Sequence, residues 1–216
     1  LLLKKGMFDN AKSGVQHNIP FQTNFKMFKH LSVSVGGQYT ETWTGKTIRI
    51  NDYNKDSGAV RDTVNGFDRF GVYNYSASVT TKINGIVNFK PKNKVQSIRH
   101  TISPSISYSN SPSFEKYYDT YIIDANGNTA EYTRFQGGLF KAPGRDDSSS
   151  IGLTIKNVIE AKVKPRDSTE TELRKIDIFK NLNIATSYNV AAEEFNLAPI
   201  RVTGSVDLAK GFTVNT

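Results

Sequence analysis

The sequence predicts an all-β fold, an antiparallel transmembrane β-barrel segment of about eight strands that forms part of a larger barrel. Three observations predict it. Apolar and polar residues alternate along most of the chain. The alternating runs are long for strands. The connections between them differ in length from one end to the other.

A strand presents successive side chains to opposite faces, so each alternating run defines two surfaces. In GVQHNIPFQTNF, Val15, Ile19, Phe21 and Phe25 alternate with Gln16, Asn18, Gln22 and Asn24. In LSVSVGGQYTETW, Leu31, Val33, Val35, Tyr39 and Trp43 alternate with Ser32, Ser34, Gln38, Thr40 and Thr42. YNYSASVTTKI sets Tyr73, Tyr75, Ala77, Val79 and Ile83 against Asn74, Ser76, Ser78, Thr80 and Lys82. RHTISPSISYSNSP puts His100, Ile102, Pro104, Ile106 and Tyr108 on one side, and Arg99, Thr101, Ser103, Ser105, Ser107 and Ser109 on the other. Pro104 has no N–H to give a ladder, so it marks a bulge or a local break in pairing. SIGLTIKNVIEAKV gives Ile151, Leu153, Ile155 and Ile159 against Ser150, Thr154, Lys156 and Glu160. NLNIATSYNV gives Leu182, Ile184 and Tyr188 against Asn181, Asn183, Ser187 and Asn189. IRVTGSVDL gives Ile200, Val202, Val206 and Leu208 against Arg201, Thr203, Ser205 and Asp207, and GFTVNT begins another run with Phe212 and Val214.

Strands in globular sheets are commonly about 5 to 6 residues long. A strand tilted across a bilayer needs about 9 to 11, and these runs reach that length. The expected connections are short around 26–30, long and polar over 45–68, moderate over 84–97, long over 110–148, moderate over 164–179, then a short AAEEFN link and a tight turn at 209–211. Short turns on one side and long loops on the other are the habit of outer-membrane barrels, although the AAEEFN link is shorter than that alternation predicts. The 45–68 and 110–148 connections are therefore expected to be extracellular and mobile. A soluble antiparallel sandwich with one wet face would also alternate, and it stands as the alternative fold.

On the barrel reading, the Ile, Val and Phe face meets lipid and the Ser, Thr, Asn and Gln face meets a wet lumen. Tyr39, Trp43, Tyr73, Tyr75, Tyr108 and Tyr188 would form an interfacial belt. Composition agrees. Hydrophobic residues make up 37% of the 216, low for a globular domain, and mean hydropathy is -0.46. No run of about 20 apolar residues is present for a transmembrane helix; LLL stops at Lys4. No signal peptide is visible, and the sequence starts at Leu1 and ends in mid-strand, which suggests a piece of a longer protein. One barrel domain, residues 1–216, is expected, with no second domain evident. Cysteine is absent, which excludes disulfides, thiolate metal sites and a cysteine nucleophile. The formal charge of +8 suits anionic lipid or nucleic acid. The interleaved aromatics and glycines of a nucleic-acid module are missing, so no nucleic-acid partner is expected.

Catalytic and metal motifs fail on inspection. GKT at 45–47 ends like a phosphate-binding loop, but Thr40 stands where the first glycine is needed. Asp52, Asn54 and Asp56 have calcium-loop spacing, but Ser57 replaces the required glycine and Thr63 the required glutamate. DANGN at 124–128 reads as a turn. His17, His30 and His100 fall on separate segments, which argues against a triad or metal cluster. His100 lies on the apolar side of its strand, where an interfacial ring is expected. No catalytic, cofactor-binding or metal residue is assigned.

VQHNIPFQTNFKMFKHLSVSVGGQYTETW, GFDRFGVYNYSASVTTKINGI, IRHTISPSISYSNSPSF and SYNVAAEEFNLAPIRVTGSV resemble the barrel of LptD-like lipopolysaccharide-assembly proteins of Bacteroidota. The resemblance covers most of 13–216 and leaves 1–12 without a clear place. It implies the wall of an outer-membrane translocon that passes lipopolysaccharide to the outer leaflet without enzymatic chemistry or cofactors. It also implies an LptE-like plug lipoprotein and periplasmic bridge proteins as partners, with membrane lipid and lipopolysaccharide as contacts. In that family the lateral seam lies between the first and last barrel strands. A TonB-dependent transporter-like barrel, or a soluble carbohydrate-binding β-sandwich, remains the alternative.

One site is proposed from charge alone. KINGIVNFKPKNKVQSIR holds Lys82, Lys90, Lys92, Lys94 and Arg99 with no acidic residue. A solvated turn explains this equally well. The functional alternative is a basic periplasmic turn, Lys90, Lys92 and Lys94, held against anionic headgroups or an acidic partner.

Overall fold

The computed structural model describes residues 11–165, 172–209 and 212–215, and from position 206 onward only the backbone. The LLL stretch, the tight turn expected at 209–211 and the faces expected for Val206, Leu208, Phe212 and Val214 lie outside the described residues and side chains.

The chain forms eleven strands among the described residues: β1 (Gly14–Met27), β2 (Leu31–Ile50), β3 (Arg61–Thr80), β4 (Ile83–Asn88), β5 (Val95–Ser111), β6 (Tyr118–Ile122), β7 (Thr129–Thr133), β8 (Ser148–Val163), β9 (Arg174–Asn189), β10 (Arg201–Ala209) and β11 (Phe212–Asn215). A 3₁₀ turn covers Glu115–Tyr117. No helix among the described residues is long and apolar enough to cross a membrane. The main sheet has the order β1-β2-β3-β5-β8-β9-β10-β11, with β4 on β5, and β6 and β7 form a separate pair. Its defined registers are antiparallel, and the sheet is open. The expected all-β, antiparallel segment of about eight strands is borne out.

Two compact units divide the chain. One comprises Leu1–Phe21, Gly36–Tyr75 and Asn110–Ser148; the other comprises Gln22–Val35, Ser76–Ser109 and Ser149–Thr216.

Three boundaries differ from expectation. The polar connection expected over 45–68 shrinks to 51–60, because β2 and β3 continue as a paired ribbon closed by the Asn51 N–H to Val60 carbonyl bond, 2.9 Å. The connection expected over 84–97 shrinks to 89–94, because β4 pairs with β5 from Ile83↔Ile102 to Asn88↔Ser97. The connection expected over 164–179 ends by Arg174, where β9 starts. Two register shifts in the β8–β9 ladder, between Asn157, Ile159 and Glu160, put extra residues on β9. Bulges of this kind break the two-residue period, so the alternation restarts only at Leu182.

Pro104 accounts for the gap between β3 and β4. The Thr81 N–H reaches the Pro104 carbonyl at 3.2 Å, but proline has no N–H to return the bond. Pairing lapses at Thr81 and Lys82 and resumes at Ile83.

Candidate functional site

The two faces of the sheet are chemically distinct. On the apolar face, glycines make room for rings from the neighbouring strand. A Cβ at Gly37 would come within 2.5 Å of the Phe21 ring and of the Asn74 carbonyl, and one at Gly71 within 2.6 Å of Tyr39 Oη. Rings laid over strand glycines restore the packing that glycine lacks. Along β2, Tyr39 and Trp43 follow Val33 and Val35 on this face. Tyr39, Trp43, Tyr73, Tyr75 and Tyr188 are exposed, as a belt requires, while Tyr108 is half-buried with the Ser149 hydroxyl at 3.2 Å.

A charge pair sits among these rings. Glu41 accepts bonds from Tyr39 Oη at 3.0 Å, Trp43 Nε1 at 2.9 Å and Arg69 Nη1 at 3.0 Å. His17 stacks edge-on against Trp43 with centroids 4.6 Å apart. His100 is also engaged, with Nε2 3.1 Å from Asn157 Oδ1. His30 lies elsewhere, its carbonyl accepting from Thr81 Oγ1.

The hydroxyl face is a hydrogen-bonded ladder. In the first unit, Thr40 Oγ1 donates to Asn18 Oδ1 at 2.9 Å, and Gln16 Nε2 to Thr42 Oγ1 at 3.1 Å. In the second, Thr80 Oγ1 donates to Ser105 Oγ, Thr101 Oγ1 donates to Asn84 Oδ1, and the Ser109 and Ser150 hydroxyls pair, each at 2.9 Å. These groups satisfy one another, yet most keep one side open to solvent.

Residues 112–147, within the long connection expected over 110–148, fold over part of this face. Phe70, on the hydroxyl side of β3, is only 4% exposed; its ring lies 4.6 Å from that of Phe135 and 6.1 Å from that of Tyr117. Beneath the segment Thr42 is 2% exposed. Arg134 Nε donates to Asp68 Oδ2 at 2.7 Å, and the Ile48 N–H donates to the Arg134 carbonyl at 2.8 Å. The hairpin tip is the DANGN turn read from the sequence: Gly127 has φ +79°, and Asp124 accepts from the Asn126 N–H and from Asn128. The bond from the Asn128 side chain, first, and those from nearby backbone amides hold the Asp124 carboxyl below its usual range.

Lys90, Lys92 and Lys94 are all exposed on the turn between β4 and β5. Pro91 starts the bend, the Asn93 N–H donates to the Lys90 carbonyl at 2.9 Å, and the Lys164 N–H donates to the Lys94 carbonyl at 2.9 Å. Proline at that position presets the turn. The second bond brings Lys164 beside the three lysines, a neighbour that spacing along the chain does not reveal. Arg99 does not belong with them. It forms an ion pair with Glu160, which Lys175 also joins.

The motifs rejected from the sequence stay rejected. Gly45–Thr47 is strand. Asp52 Oδ1 accepts the N–H of Ile122 on β6 and Asn54 Oδ1 the Asp56 N–H, so these two oxygens are spent on backbone amides. Among the described residues no group of three or more His, Cys, Asp or Glu could hold a metal.

An open antiparallel sheet of long strands, apolar on one face and hydroxyl-lined on the other, is a segment of an outer-membrane-type β-barrel. The family model for LptD protein matches residues 2–216, and the chain belongs to that family. The match takes in residues 2–12, which the sequence resemblance left out. No curated protein and no solved structure matches the chain. The family places the chain in lipopolysaccharide transport at the outer membrane, as a component of that transport machinery.

Proposed function

We propose that this segment is part of the wall of a translocon that delivers lipopolysaccharide to the outer leaflet by non-enzymatic passage. The observation that carries the reading is the two-faced sheet within an LptD-family chain. Ile106 and Val79 are exposed on one face, while Thr80, Ser105, Thr101 and Asn84 form a polar ladder on the other. The apolar face suits acyl chains. The hydroxyl face exchanges hydrogen bonds with sugar headgroups at little cost, because each hydroxyl both donates and accepts. A photo-crosslinking residue at Ser105 in the full-length protein should capture lipopolysaccharide in growing cells. If Ser105 yields no such adduct while the protein is folded and inserted, the passage reading is wrong. A TonB-dependent transporter or a soluble sandwich has no observation in its favour beside the family match.

The turn at Lys90, Lys92 and Lys94 completes this reading as a periplasmic contact with anionic headgroups or with an acidic patch on a partner, an LptE-like plug or a bridge protein. Each cation near an anionic surface is worth about 1 kcal/mol. Changing all three lysines to Gln should weaken association with anionic vesicles or partner in a salt-dependent way and leave folding intact. Equal binding by parent and triple variant at low salt would reduce the turn to a solvated surface.

A further inference from the structure

A cavity of about 180 Å³ lies in the first unit, where residues 134–139 cross the hydroxyl face of β2 and β3. Its lining includes Lys12, Lys46, Arg61 and Arg134 together with Thr44 and Thr47, and it contains no carboxylate. Arg134 is already paired with Asp68, but Lys12 and Arg61 form no ion pair among the described residues, and like charges brought together repel one another, so the site gains from an anion.

The cations are positioned by the fold. Arg61 Nη2 donates to the Gln136 carbonyl at 3.2 Å. It has room to do so because Gly137 carries no side chain: a Cβ there would come within 2.7 Å of Arg61 Nη2, and the φ of +75° already favours glycine. Arg134 is fixed from outside the cavity, its Nε held by Asp68 Oδ2 at 2.7 Å and its guanidinium 4.6 Å from the centre of the Phe135 ring. Thr44 Oγ1 donates to the Lys46 carbonyl at 2.8 Å, and Thr47 is 9% exposed.

We infer that this cavity binds a phosphate group, and specifically the phosphate of a phosphorylated sugar. Guanidinium forks and an ammonium match the several oxygens of a phosphate. The volume holds a phosphate with part of one sugar ring. The inference deepens the transport reading by naming a stopping point for a phosphorylated headgroup on the hydroxyl face.

Binding to the purified full-length protein tests it, with glucosamine 6-phosphate, glucosamine and inorganic phosphate as probes. Glucosamine 6-phosphate should bind saturably and inorganic phosphate more weakly, while glucosamine should not bind. Losing a charge-assisted bond should cost Arg61→Gln about tenfold or more in affinity. Lys12→Gln, outside the aromatic packing, should weaken binding in the same direction and serves if Arg61→Gln misfolds. Failure of the parent to bind glucosamine 6-phosphate, or parent-like affinity in a folded variant, overturns the inference. Inorganic phosphate binding as tightly as the sugar phosphate overturns the sugar assignment. These outcomes are separate from the Ser105 crosslink, which reads passage and does not depend on the cavity.

Discussion

Arginine at Ile106 should cost about 2–4 kcal/mol of folding stability in a bilayer if that position lies near the midplane, and arginine at Ser105 far less. The two residues are adjacent on β5 and differ mainly in the face they occupy. Ile106 is 58% exposed. In lipid, a guanidinium there must be dehydrated or drag water into the hydrocarbon. Ser105 stands on the opposite face, where its hydroxyl accepts from Thr80 Oγ1. Arginine there loses one weak bond and keeps access to water. The pair Val79 and Ser78 on β3 should repeat the contrast. Phe21→Arg should be costlier than charge alone predicts, because it also removes the ring that lies over Gly37. The measurement is denaturant-induced unfolding of the full-length protein in lipid vesicles. Equal stability of the Ile106→Arg and Ser105→Arg variants would sink the assignment of faces, and with it the membrane reading.

The faces were legible in the sequence because alternation is a local property of a strand. What escaped was set by distant partners or by special backbone. The β2–β3 ribbon read as loop because its glycines and charges resemble loop composition; only the pairing of Asn51 with Val60 shows it to be strand. The start of β9 was hidden by bulges that scramble the period. The turn after β1 places Phe28 at φ 49° and Lys29 at φ 65°, left-handed conformations for which neither residue gives a signal. Arg99 falls in the acid-free basic run with Lys90, Lys92 and Lys94 because its carboxylate, Glu160, lies 61 residues away in sequence. Two signals were present and unread. Glu41 falls on the apolar side of β2, where a charge calls for a partner, and that partner is Arg69 on β3. Phe70 falls on the polar side of β3, where a large ring calls for a cover, and residues 112–147 supply it.

That cover yields the second large effect. Phe135→Ala should destabilise the packing of residues 112–147 by about 3–5 kcal/mol, the usual result of deleting a buried phenyl ring. Phe135 is 3% exposed, and its ring sits 4.6 Å from that of Phe70 and 5.8 Å from that of Tyr117. The polar ties around it are weaker: the Arg134–Asp68 pair is about one-third exposed on each side, and such pairs contribute at most about 1 kcal/mol. The aromatic knot is therefore the main restraint, and without it the segment should open from the hydroxyl face. Hydrogen exchange reads this directly. The Ile48 amide donates to the Arg134 carbonyl, and the Gly71 amide donates to Tyr117 Oη at 3.0 Å, so both should exchange faster in the variant. Amides of the β8–β9 ladder, which take no part in the knot, should keep their protection. Protection of Ile48 and Gly71 at the parent level would mean that the segment is held by something other than Phe135. On the transport reading, opening it would also uncover Thr42 and widen the polar path, so the variant should admit large solutes that the parent excludes.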